Sequence, residues 1–155
     1  MITSKREILQ FISLGFCGAT AGCIGFSNST YPNARIGRIR VHNYDWKPHE
    51  VRIDIWDREA DASVFRETVK VDAFNPDTQV TGGENVEGFP AAERAYEFRV
   101  ELDSTGRTRS VPLKENASCV GVEIQIGDMP PDANEDVEHP PLLMFFQSCS
   151  QFDPD

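Results

Sequence analysis

Three histidines, four cysteines and one dense acidic run are the residues of this 155-residue chain whose types and spacing allow chemistry. Asp132, Asn134, Asp136 and Glu138 set an oxygen ligand at every other position between Met129-Pro130-Pro131 and His139-Pro140-Pro141. Calcium favours such oxygen-rich loops. The run is not an EF-hand, because Val137 stands at its sixth position and Leu143 at its twelfth. The stretch 127–141 therefore reads as a solvated acidic loop, with a weak divalent-cation (calcium) or small-solute site as the alternative; no other cofactor is expected.

Copper is the sharpest redox reading, since His42, His49, His139, Cys119, Cys149, Met129 and Met144 supply all the donor types. A blue-copper site needs a thiolate, two imidazoles and a weak axial Met, with the Cys, second His and Met close together on one late loop. Neither His nor Met follows Cys149, and the first His after Cys119 is His139. Hydrolase signatures are also missing: the chain has no Gly-x-Ser-x-Gly elbow, no His-Glu-x-x-His and no phosphate loop. The sequence thus favours a non-catalytic role and leaves the enzyme question open, with a hydrolase or a copper protein as the lesser alternatives. Tyr44, Trp46 and Trp56, with His49 among them, are the residues suited to a protein or glycan partner, because Trp and Tyr combine a large apolar body with a polar handle. The competing role for these aromatics is packing.

These side chains are carried by strands. From Arg35 onward the hydrophobic period is close to two, with no sustained period of 3.6. Ile39 and Val41 alternate with arginines, and Val51, Ile53 and Ile55 follow across a turn over 43–50. Phe65, Val69, Val71 and Ala73 share one parity in a third strand, ended by Asn75-Pro76-Asp77. Gly82-Gly83 and Gly88 read as a loop. Tyr96, Phe98, Val100 and Leu102 form a clean inward row, and Ser104-Thr105-Gly106 turns the chain into a strand over 107–113. Val120, Val122, Ile124 and Ile126 form another row, and a last strand runs over 142–149. About seven short strands in some 120 residues predict an all-β, immunoglobulin-like antiparallel β-sandwich, with a barrel as the alternative.

Composition narrows the setting. The formal net charge is -10, from 15 Lys plus Arg against 25 Asp plus Glu, which disfavours nucleic acid as a partner. Eleven of the basic residues are Arg and only four are Lys. A carboxylate-rich surface repels itself in dilute buffer, and molar salt, with a Debye length of roughly 3 Å, removes that penalty. This composition resembles that of proteins from salt-loving archaea.

The N-terminus reads as an export segment. Lys5 and Arg6 precede an apolar stretch from Ile8 to Ala21, and Thr20-Ala21-Gly22 stand before Cys23. The triplet and Cys resemble the lipobox of bacterial and archaeal lipoproteins, which implies cleavage after residue 22 and lipidation of Cys23. Ser4-Lys5-Arg6-Glu7-Ile8-Leu9 resembles a twin-arginine export motif, with Lys5 in place of the first Arg. A general secretory signal is the other route, and an uncleaved helix over the 19 uncharged residues from Ile8 to Phe26 is the other anchor. The expected organisation is a signal peptide over 1–22, a lipidated Cys and tether over 23–34, and a β-sandwich over 35–155. The expected location is the outer face of the cytoplasmic membrane, anchored by lipid. Export gives meaning to two glycosylation triplets, at Asn28 and at Asn116.

Two further readings follow. Val41-His42-Asn43-Tyr44-Asp45 and Lys47-Pro48-His49-Glu50-Val51-Arg52-Ile53 resemble the first hairpin of small immunoglobulin-like domains in exported archaeal lipoproteins. With Cys17 inside the signal and Cys23 assigned to lipid, Cys119 and Cys149 remain, and an oxidising compartment predicts a disulfide between them. The functional expectation is a lipid-anchored surface module with a binding or envelope-structural role.

Overall fold

The computed structural model describes residues 31–103, 106–113, 117–128 and 140–151. Eight strands are present: β1 (Arg35–Asn43), β2 (His49–Asp57), β3 (Ala62–Val71), β4 (Gly82–Val86), β5 (Tyr96–Leu102), β6 (Arg107–Pro112), β7 (Cys119–Ile126) and β8 (Leu142–Ser148). They form two four-stranded sheets, in the orders β4-β1-β7-β8 and β3-β2-β5-β6. All pairings are antiparallel except β1 with β7.

The two inner faces are the alternating rows seen in the sequence. Val51, Ile53 and Ile55 of β2 and Tyr96, Phe98, Val100 and Leu102 of β5 meet Ile39 and Val41 of β1 and Val120, Val122, Ile124 and Ile126 of β7. All are essentially fully buried. Each such Val, Leu or Ile contributes about 1.5–3 kcal/mol on removal from water. In β1 the strict alternation breaks once: Ile36 and Ile39 both point inward although three residues apart. The register with β7 shifts between Ile36 and Arg38, so a bulge at Gly37 absorbs the odd residue.

Gly37 also faces the disulfide. Cys119 opens β7 and Cys149 follows β8, and since those strands are antiparallel neighbours with Val120 opposite Ser148, the Cα atoms lie 5.4 Å apart and the bond forms. A Cβ built on Gly37 would fall among the sulfurs, 2.6 Å from Cys119 Sγ. Only a residue without a side chain fits beneath the bridge.

Three expectations are corrected. Among the described residues the strands number eight, because Gly82–Val86, with its two glycines, pairs along β1 instead of forming a loop. The first two strands are not a hairpin: β1 lies in one sheet and β2 in the other, and the connection over 44–48 crosses the sandwich. In an immunoglobulin constant-type domain the first two strands share a sheet, so the strand order here differs while the two-layer architecture is the expected one. Finally, the domain extends into the expected tether, since Ala34 is fully buried and exchanges backbone hydrogen bonds with Arg94.

The sides of the sandwich are managed by arginines. Arg107 and Arg109 of β6 share the inward parity of Leu102 and Val100, yet at the edge they reach across to the other sheet. Their Nη1 atoms donate to the carbonyls of Pro140, at 2.7 Å, and Leu142, at 3.0 Å. This ties β6 to the start of β8.

Candidate functional site

One end of the sandwich gathers the loops. The register places the end of β1 at Asn43 opposite Gly82 of β4 and Ile126 of β7, Ile126 opposite Leu142 of β8, and His49 of β2 opposite Val71 of β3. The connection over 44–48, the turn after β5, the segment after β3 and both roots of the acidic loop therefore lie at one pole. The opposite pole holds the start of β1, where the chain arrives through Tyr31 and Ala34, and Arg58 lies 3.5 Å over the Tyr31 ring.

Asn43 organises the loop pole. It is completely buried, and its amide satisfies three backbone groups. Nδ2 donates to the carbonyls of Lys47, at 2.8 Å, and Asp72, at 2.9 Å, while Oδ1 accepts from Asp45 N–H at 2.9 Å. Asp45 then accepts from Trp46 N–H at 2.8 Å through Oδ1, and Phe74 N–H donates to its carbonyl at 2.8 Å. Trp46 closes the same corner by packing edge-on against Phe74, with centroids 5.5 Å apart. Gly127, at φ +80°, roots the acidic loop here; a Cβ on it would lie 3.1 Å from Asp45 N.

His49 spans the pole. Its Nε2 lies 2.6 Å from Asp45 Oδ2 and its Nδ1 lies 2.7 Å from Asp103 Oδ2, with the ring only 8% exposed. Each ring nitrogen thus faces a carboxylate oxygen, one from each of two loops. Asp103 sits at φ +48°, just past β5, and its Oδ1 accepts from Glu50 N–H at 2.7 Å. The sequence places His49 in the turn over 43–50; in the structure it opens β2. With a carboxylate on each nitrogen, the ring is placed to clamp two loops together. Among the described residues no group of three His, Cys, Asp or Glu is arranged to hold a metal.

The four residues expected to form a surface do not meet. Tyr44, Trp46 and His49 belong to the loop pole, with Tyr44 stacked on His42 at 6.2 Å. Trp56 lies at the other end of β2, about 23 Å away at roughly 3.3 Å per residue, and pairs with Glu97 and Ser63. Arg99 covers its ring at 4.3 Å, and its Nε1 donates to Asp61 at 3.3 Å. Trp56 is thus part of the outer face of β3-β2-β5-β6, a chequerboard of charges. Arg66 donates to Asp54 at 2.6 Å and Arg52 to Glu101 at 2.9 Å, while Glu97 accepts from Arg99, Arg58 and Ser110. A depression of about 270 Å³ on this face is lined by Arg52, Asp54, Arg66, Arg99, Glu101 and Thr108.

Electrostatics follow the contacts. The Ser110 hydroxyl, against some burial, and then Arg99 and Arg58 hold Glu97 below its ordinary 4.5. Burial pushes Asp54 up, but its bonds from Ser63 and Arg66 outweigh that and leave it below 3.8. Burial, then Arg40, lowers His42 below 6.5, against the pull of Glu123.

Cys23, Asn28, Asn116, Asp132, Asn134, Asp136 and Glu138 lie outside the described residues. Sequence reasoning missed Asn43, Asp45 and Asp103. The signal available was the Asn-x-Asp pair directly after an alternating strand, a pattern in which Asx side chains bond the backbone ahead. Comparison with protein-family models, with curated proteins and with solved structures gives no match.

Proposed function

We propose that this protein is a lipid-anchored module of the cell surface, with a binding or envelope-structural role, that presents its loop pole away from the membrane. The observation that carries the reading is the polarity of β1. The tether from Cys23 arrives at Arg35, and the loops gather beyond Asn43. Nine residues at roughly 3.3 Å each put about 30 Å between the two ends. A partner approaching from outside the cell meets the pole with Tyr44, Trp46 and the roots of the acidic loop. The Cys119–Cys149 bridge supports an oxidising location, because disulfides persist in exported proteins and are rare in reducing compartments. The immunoglobulin-like relationship belongs to this proposal at the level of two packed antiparallel sheets. The partner class is a surface protein or glycan. The acidic, lysine-poor composition supports a high-salt exterior.

The test is the intact mass of protein extracted from its native membrane, before and after reduction. A chain starting at a lipid-bearing Cys23 and two mass units heavier after reduction is the expected result. An unlipidated chain that retains Met1 or Ile2 overturns the anchor, and with it the assignment of an outward pole.

A further inference from the structure

The disulfide has two chemically unequal ends. Arg35, exposed and opposite Cys119 in the parallel pair, points Nη2 at Cys119 Sγ from 3.5 Å. Both cysteines are half-buried, and the bridge lies over Gly37, which is itself exposed, on the outer side of the sheet. Cys149 stands on a one-turn 3-10 segment, Cys149–Gln151, beyond the last strand, whereas Cys119 is held inside the β1-β7 ladder.

We propose that Cys119–Cys149 is a directional thiol-exchange site for a low-molecular-weight thiol, with Cys149 the attacked sulfur and Cys119 the leaving group stabilised by Arg35. The thiolate of the small thiol forms a new S–S bond to Cys149 Sγ. The Cys149–Cys119 bond breaks, and its electron pair leaves with Cys119 as a thiolate beside the guanidinium. A second thiol attacking the mixed disulfide releases Cys149 as thiolate and the oxidised small-molecule disulfide. Both protein sulfurs are then reduced, and two small thiols are oxidised. Exchange rates rise as the leaving thiolate is stabilised, and a neighbouring cation supplies that stabilisation. Opening the bond frees the C-terminal turn from the start of β7 without breaking a ladder hydrogen bond. The inference is independent of the anchor.

The test exposes the purified, oxidised protein to a few equivalents of glutathione at pH 8, quenches with acid at short times, and maps the adduct after cleavage at Asp and Glu. Glutathione is expected on Cys149 in about tenfold excess over Cys119. Arg35→Gln should slow exchange several-fold and bring the two adducts near parity, and Arg35→Lys should keep the bias because it keeps the charge. An adduct mainly on Cys119, a bias unchanged in Arg35→Gln, or exchange only at denaturant concentrations that unfold the protein would each overturn the proposal. If Arg35→Gln does not fold, the wild-type adduct ratio and the Lys variant still decide.

Discussion

Replacing Asn43 by Ala removes three hydrogen bonds in one step. The amide is fully buried and bonds Lys47 O, Asp72 O and Asp45 N–H. At a net value of about 1 kcal/mol each, the loss is about 3 kcal/mol. Two effects bound it. Lys47 and Asp72 are exposed, so water can enter the space left by the amide and rescue their carbonyls, which pulls the cost towards 2 kcal/mol. Asp45 is buried, so its N–H left dry pushes the cost towards 4 kcal/mol. Against a total stability of about 5–15 kcal/mol, this is a large change. Equilibrium unfolding in guanidinium, followed by circular dichroism and by Trp fluorescence, reads it directly. A companion variant separates hydrogen bonding from volume. Asn43→Asp keeps an acceptor for Asp45 N–H but turns a carboxylate oxygen towards two carbonyls, so it should be at least as damaging at pH 7. It should recover part of the loss as pH falls, starting above the ordinary carboxylate range because burial and the two carbonyls disfavour the charged form, since the protonated carboxyl regains a donor. A loss below about 1 kcal/mol for Asn43→Ala, or an Asn43→Asp protein as stable as wild type at pH 7, would refute the view that this amide pins the loop pole.

Gly37→Ala drives a Cβ into both sulfurs and should cost about 1–3 kcal/mol; measured again on a Cys119→Ala/Cys149→Ala background, most of that cost should vanish, and an unchanged cost would mean the clash lies elsewhere. Reducing the bridge, which joins residues 30 apart in sequence, should cost about 3 to 4 kcal/mol in the chain-entropy treatment, read as a drop in the denaturation midpoint. His49→Ala leaves the Asp45 and Asp103 carboxylates without their shared donor and should cost about 2–3 kcal/mol, the partial exposure of Asp103 moderating the penalty. Glu97 is held below 4.5, so its contribution is complete above that pH and disappears as pH falls through its lowered value; Glu97→Gln should flatten the acid limb of stability, and an identical limb would contradict the Ser110 and Arg99 bonds. His42 has the opposite consequence for a base: it is lowered below 6.5, so the unfolded chain takes the proton first and stability declines as pH falls from about 6.5, a decline that His42→Gln should remove.

How much was legible follows from the kind of force involved. The rows Val51-Ile53-Ile55, Tyr96 to Leu102 and Val120 to Ile126 were readable because burial of one strand face repeats every second residue, which a sequence displays directly. The disulfide was readable because the sulfurs end consecutive strands. β4 was not, since Gly82-Gly83-Glu84-Asn85 has no apolar alternation and is a strand only because β1 offers it a ladder. The placement of β1 and β2 in different sheets was hidden too. It depends on Asn43 and Asp45 turning the backbone across the sandwich, and a short polar connection looks the same in a hairpin. For the site, residue types pointed to Tyr44, Trp46 and His49. The buried role of His49 required Asp103, more than fifty residues away, which no local pattern announces.

On the proposed binding role, the edges of the two sheets narrow where a partner would dock. An extended peptide adding to a sheet needs a free, regular strand edge. β3 presents Arg66, Thr68 and Lys70 on its outer face, and two of these are already paired with Asp54 and Glu50. β6 sends Arg107 and Arg109 across to the start of β8 and ends in Pro112, which has no N–H to donate. β4 is five residues long and begins with two glycines. Strand addition is therefore poorly served on these sides, and the flat outer face of β3-β2-β5-β6 has its arginines engaged by neighbouring carboxylates. The loop pole differs: its backbone is fixed from below by Asn43 and His49, while Tyr44 and Trp46 remain half-exposed above. A rigid base under aromatic side chains lowers the ordering cost of association. Tyr44→Ala and Trp46→Ala should accordingly weaken capture of a surface partner without the stability loss of Asn43→Ala, and Trp56→Ala, at the opposite end, should leave capture unchanged. Equal loss of capture in all three variants would remove the loop pole as the binding end.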